Sequence, residues 1–291
     1  MVNAATVLPV VAAYVSAAVS VALAAGPASG FARGYVDRLE HAGADDAKDV
    51  AEADAPGGGT SEQTAADAAG FDVVGGEPTS GDKGRATADV RVRTHEVRVR
   101  ARGLLGRLPQ GLLAVLLCGA TLVWGLSRGA ELDTAFALPV VALLGVAGSV
   151  DAVCHRLPDR LLGSAALWLL AVTALRPVAA LIAGIPASAA LWPAGRAVLC
   201  ALGAGAAVFV MWLIPASGMG LGDVKLCALL GLWLGYAAVE YVVTGLILGF
   251  VLAGLVAIGL MLTRRAGRKD MLAFGPYLAV GGWLAWLLAV A

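Results

Sequence analysis

Gly218-Met219-Gly220-Leu221-Gly222-Asp223 opens onto an apolar run, 224–262, and the architecture follows from how that junction is read. The run is too long for one membrane span, which needs about 20 apolar residues. It breaks near 235–240, where Tyr236 and Glu240 mark an interface. The first piece, 224–238, is then about 15 residues, or roughly 22 Å of helix. That falls short of a hydrocarbon core of roughly 30 Å, so the glycine turn is expected to dip into the membrane and complete the distance. Irregular backbone at that depth is tolerated only where it packs in protein or lines a wet cavity. The turn ends in Asp223, and a second carboxylate, Asp151, closes another apolar stretch. Carboxylates at the edge of hydrocarbon are costly and mark function.

The rest of the chain is consistent with this setting. Of 291 residues, 59% are hydrophobic and 14% charged, against about a quarter charged in soluble domains. The mean hydropathy is +0.81. The fold class is therefore all-α: a polytopic membrane protein with about eight transmembrane helices. They are expected near 4–25, 111–127, 134–150, 161–182, 196–214, 224–238, 240–262 and 274–291. Three regions follow: a first transmembrane helix (1–25), a cytoplasmic polar insert (26–110) and a membrane-embedded domain (111–291). The insert is rich in Ala, Asp, Gly and Thr around Pro56-Gly57-Gly58-Gly59, shows no apolar period and is expected to be largely disordered. Its basic end, with Arg91, Arg93, Arg98 and Arg100, reads as an anchor on anionic lipid, although the Val-Arg alternation there would also suit a short strand. Ala22-Leu23-Ala24 resembles a signal cleavage site, but residues 1–20 hold no Lys or Arg, so the first segment is read as a retained span.

Lys and Arg placement sets the orientation. With the insert in the cytoplasm, all but Arg128, Arg176 and Arg196 of the 21 basic residues fall on the cytoplasmic side, and both termini lie outside. Asp151 follows the third span and Asp223 precedes the sixth, so both face the cytoplasm. Either acid alone reads as an interfacial charge, and Asp223 as a cap for a helix beginning at Val224. Together, on one face and beside Gly-x-Gly, they read as an acid/base pair. Gly218, Gly220 and Gly222 are expected to permit unusual backbone and close approach of an extended peptide. Gly245 and Gly249 form a small-xxx-small pair suited to helix packing.

Other hydrolytic devices lack their parts. His95-Glu96 has no second histidine for a zinc site, and His41, His95 and His155 all lie outside the spans. Cys118, Cys154, Cys200 and Cys227 form no Cys-x-x-Cys pair and read as small apolar fillers. Carboxylates remain for general acid/base work, and two close carboxylates do not readily both ionise, so they titrate as a unit.

Three motifs in order carry a resemblance. Gly220-Leu221-Gly222-Asp223-Val224-Lys225 is similar to the Gly-x-Gly-Asp-x-Lys signature of the type IV prepilin peptidases. Asp151, followed by His155-Arg156-Leu157-Pro158-Asp159, resembles that family's first catalytic Asp and its trailing motif. Phe274-Gly275-Pro276-Tyr277-Leu278-Ala279 resembles the segment before the family's last span. The resemblance covers about 105–291. It implies a membrane aspartic endopeptidase that cleaves a short basic leader from pilin-like precursors at the cytoplasmic face of the plasma membrane. Asp151 and Asp223 are then the catalytic pair, with Gly220, Gly222, Lys225, Pro158, Gly275 and Pro276 as substrate-binding or structural support. The implied partners are pilin-like precursors and the lipid bilayer, with no nucleic acid, and the hydrolytic step needs no metal or organic cofactor.

Many bacterial members also methylate the product and carry paired Cys-x-x-Cys motifs. Those cysteines are absent from this sequence, so N-methylation is not expected. The competing readings are a proton- or ion-coupled transporter and a catalytically inactive assembly scaffold. A transporter predicts charge deep within several spans or a repeated half. The acids here sit at one edge, and the halves do not match.

Overall fold

The computed structural model describes residues 4–38, 105–214, 219–263 and 273–291. Residues 1–36 and 102–291 form one compact unit; a second, 37–101, falls outside the described residues beyond 38, as does the expected insert between 39 and 104, with Arg91, Arg93, Arg98 and Arg100 of its basic end. The described part of the first unit is helical: α1 (Ala4–Leu23), α2 (Arg107–Ser127), α3 (Glu131–Cys154), α4 (Asp159–Ile182), α5 (Ala187–Trp212), α6 (Leu221–Gly235), α7 (Val239–Leu262) and α8 (Gly275–Ala289). No strand occurs among the described residues.

Among the described residues, six helices are long and apolar enough to cross a membrane, the first of them running over Val7–Arg38. The other two, α6 and α8, have 15 residues each. The chain is thus a polytopic helical membrane protein, with six full-length candidates among the described residues and the shorter α6 and α8 where the other two spans are expected. The hydropathy ends the first span near 25, yet the helix continues to Arg38. Pro27 explains both observations. It lacks an N–H and crowds the preceding carbonyls, so the helix widens locally into a π-turn, Ala24–Ala28, and then resumes. The Ser29 hydroxyl donates to the carbonyls of Ala25 (2.7 Å) and Gly26 (3.0 Å) at this point.

Helix ends elsewhere follow local chemistry. Gly129 (φ +71°) and Gly184 (φ +82°) take the left-handed conformation that stops α2 and α4. The α6–α7 break falls at 236–238, within the range the sequence predicts. α5 begins at Ala187 rather than near 196, so Arg196 lies inside it. From there Arg196 donates to the carbonyls of Gly235 (2.9 Å) and Tyr236 (2.6 Å). This closes the C-terminal end of short α6, whose last carbonyls have no helical partner of their own.

α3 is the central rod. It packs against α1, α2, α4 and α8, while α6 packs against α4, α5, α7 and α8. Side chains such as Leu112, Val123, Leu167, Leu199 and Ile258 point outward and are exposed, as expected of a lipid-facing surface. The close contacts use small residues. A Cβ on Gly281 of α8 would collide with backbone atoms of Gly245 and Gly249 in α7, so this small-residue pair does serve packing. These contacts fix α3, α6 and α8, the three helices whose ends carry the acids and their partners.

Candidate active site

Asp151 sits in the last turn of α3 and is 4% exposed. The helix stops at His155, which adopts a left-handed conformation (φ 53°) and donates its N–H to the Asp151 carbonyl at 2.8 Å. His155 is the one non-glycine residue with positive φ among the described residues. His is among the non-glycine residues that take this conformation more readily, and here it forms the left-handed stop of the helix. The chain then turns through Arg156 and Leu157 to Pro158, which is buried and occupies the N-cap of α4 rather than its first turn.

Asp223 is 7% exposed. The helix expected from Val224 begins at Leu221, so Asp223 is not its cap but lies at the third helical position. Its Oδ2 accepts the Gly220 N–H at 3.1 Å, and the Asp223 N–H donates to the Gly220 carbonyl at 3.0 Å. This reciprocal pair resembles half a capping box, with the carboxylate favoured by the N-terminal end of the helix.

The expected role of the glycines needs correction. Gly220 has φ −94° and ψ 156°, ordinary extended backbone open to any residue, and a Cβ there would meet only normal contacts. Gly222 is needed for space: a Cβ on it would lie 3.0 Å from the Leu157 Cβ. Its bare backbone lets the start of α6 lie against the α3–α4 loop. Gly218 and Ser217 lie outside the described residues.

Gly275 opens α8, and its N–H donates to Asp151 Oδ2 at 2.9 Å. Pro276 lies in the first turn, where its missing N–H costs nothing, and packs on Gly148 of α3. Each acid therefore has one oxygen held by a backbone N–H. No other partner of either carboxylate is found among the described residues. The two carboxylates lie within electrostatic reach of each other, and both line one cavity of about 500 Å³. His155, Arg156, Leu157, Asp159, Met219, Gly220, Gly222, Lys225 and Phe274 complete most of its wall.

The structure thus brings Asp151, Asp223, Gly220, Gly222 and Lys225 to this cavity, with Gly275 bonded to Asp151 from behind. Pro158 and Pro276 do not line it; they set the starts of α4 and α8. Asp159, the last residue of the motif that trails Asp151, opens α4. It also accepts an ion pair from Lys225 at 2.5 Å. The neighbouring Leu-Pro-Asp and Gly-Asp-x-Lys motifs gave no sign of that pairing, which joins positions 66 apart.

The cavity thus gathers two buried carboxyl groups, an imidazole, a guanidinium and an ion pair at the ends of α3, α4 and α6. No family model matches the chain, and no solved structure matches it. The known proteins that it is similar to include several named prepilin leader peptidase/N-methyltransferase. The protein from Aeromonas salmonicida strain A449 is 41% identical over 103 residues, 33% of either chain. That from Pseudomonas putida is 41% identical over 80 residues, 26% of this chain and 27% of the relative. That from Neisseria gonorrhoeae is 42% identical over 91 residues, 28% and 29% respectively. The chain spans about a third of the length of the curated relatives it matches. Over that part, it resembles the type IV prepilin peptidase family.

Proposed function

We propose that the chain is a membrane aspartic endopeptidase that removes the leader peptide from pilin-like precursors at the cytoplasmic face of the plasma membrane. The observation that carries this reading is the meeting of two buried acids, from different helices, at one cavity. The names of the relatives supply the substrate class.

In the hydrolytic step, the ionised member of the pair takes a proton from water as the water oxygen adds to the scissile carbonyl carbon. The protonated member gives its proton to the carbonyl oxygen. The tetrahedral diol then collapses: the acid that took the water proton passes it to the leaving nitrogen as the C–N bond breaks, and the other acid takes back a hydroxyl proton as the carbonyl reforms, which restores the pair to its starting state. This is the acid/base division that two coupled carboxylates provide. Backbone N–H groups of Gly275 and Gly220 hold Oδ2 of each acid, which leaves Oδ1 for water and substrate. No metal or organic cofactor is needed for this step.

Residues 111–291 form the peptidase domain in this reading, and the cytoplasmic orientation rests on the Lys and Arg distribution. Methyl transfer is not included. The relatives' name contains it, but the four cysteines here form no Cys-x-x-Cys pair. The test is co-expression with a pilin-like precursor, read by immunoblot. The wild-type chain is expected to shorten the precursor, while Asp151→Asn and Asp223→Asn each leave it full length. An unprocessed precursor with the wild-type chain would remove the proposal.

A further inference from the structure

The Asp159–Lys225 pair has no obvious structural purpose. Its side chains are 72% and 53% exposed, and an ion pair so open to solvent adds little to stability. Its place is more telling. Both residues line the cavity of the two acids, Asp159 from the first position of α4 and Lys225 from the fifth of α6. An ammonium group there, without a counter-charge, would favour ionisation of any carboxyl nearby. Asp159 supplies that counter-charge from the neighbouring helix.

We propose that Asp159 is a positioning residue: by pairing with Lys225 it holds that cation at the cavity rim and cancels its field at the Asp151–Asp223 pair. This rests on the reading of those two acids as the working pair. The other charged or titratable groups at the cavity are His155 and Arg156, from the α3–α4 loop, and the thiols of Cys154 in α3 and Cys227 in α6 lie within electrostatic reach of Asp151 and Asp223 respectively; the described residues on the α8 side, Ala273 and Phe274, carry no charge. These groups are the same in every variant below, so they drop out of the comparison.

The prediction is a pair of shifts with opposite signs. Asp159→Asn leaves Lys225 unopposed, which favours the ionised acids. Lys225→Met leaves the Asp159 anion unopposed, which favours the protonated acids. The double variant is neutral again. A pair that only held the two loops together would instead give both single variants the same defect.

The 291-residue chain in detergent micelles is treated across a pH series with dicyclohexylcarbodiimide, which modifies protonated carboxyl groups. Labelling of Asp151 and Asp223 is read by peptide mass spectrometry. The midpoint belongs to the pair as a unit. Asp159→Asn is expected to lower it by roughly half a pH unit and Lys225→Met to raise it by a similar amount. The double variant is expected to return to the wild-type midpoint. Shifts of one sign, or no shift in either single variant, overturn the proposal. The readout does not depend on peptide cleavage, so a chain that labels as expected but processes no precursor contradicts the peptidase reading alone.

Discussion

The backbone N–H of Gly275 donates to Asp151 Oδ2 at 2.9 Å, across 124 positions of sequence. This bond ties the start of α8 to the end of α3. It also requires a glycine, because a Cβ at 275 would fall 2.6 Å from the same oxygen. Gly275→Ala is expected to push the carboxylate away and cut leader cleavage by roughly 10²-fold, as ångström-scale misplacement of a reacting group does. Cleavage kinetics of the purified variant check this, with circular dichroism to confirm an intact helical fold.

A milder version holds for Gly222. A Cβ there would lie 3.0 Å from the Leu157 Cβ and 3.1 Å from its Cδ1, so the neighbour must yield by a few tenths of an ångström. Gly222→Ala is expected to slow cleavage by roughly tenfold. Adding Leu157→Gly, which removes both the Cβ and the Cδ1, opens the space and restores part of the rate, whereas Leu157→Ala keeps the Cβ contact. Kinetics on the single and double variants decide whether crowding is the cause.

The α7–α8 contact predicts a loss of stability instead. Gly281→Ala drives a methyl group into the backbone of Gly245 and Gly249, and overpacking of this kind costs about 1–3 kcal/mol. Thermal unfolding in detergent is expected to show a lowered midpoint. Gly254→Ala, where a Cβ meets nothing within 4 Å, is the matched control and is expected to unfold like the wild type.

The elements that sequence predicted well are those that hydropathy and punctuation define. The break at 236–238 lay beneath Tyr236 and Glu240, and Phe274-Gly275-Pro276 was expected to open a helix. The two acids were legible because carboxylates at hydrocarbon edges are rare. Other features depend on tertiary contacts. Continuation of the first helix through Pro27 needed a π-turn that composition does not announce. The start of α5 at Ala187 was hidden by Arg196, whose charge looks like a boundary until its acceptors at the end of α6 are seen. Gly220 was credited with backbone freedom that its dihedrals do not use. Asp159 could not be paired with Lys225 until the loops were placed together.

Orientation gives a separate prediction. With the native cysteines replaced, Arg156→Cys and Ala183→Cys mark opposite ends of α4. In whole cells a membrane-impermeant maleimide is expected to label position 183, and to label position 156 only after permeabilisation. The reverse pattern would place the acid pair outside the cell.

The most direct measurement is cleavage of a purified pilin-like precursor by the wild-type chain, Asp151→Asn, Asp223→Asn and the double variant. Acid/base groups in one reaction are worth roughly 10²–10⁴-fold each. Two acids acting on one water do not lose that factor twice. Both single variants are expected to lose at least about 10²-fold, with the double variant no slower than the slower single. Full activity in either single variant, or losses that multiply in the double, would contradict a shared site.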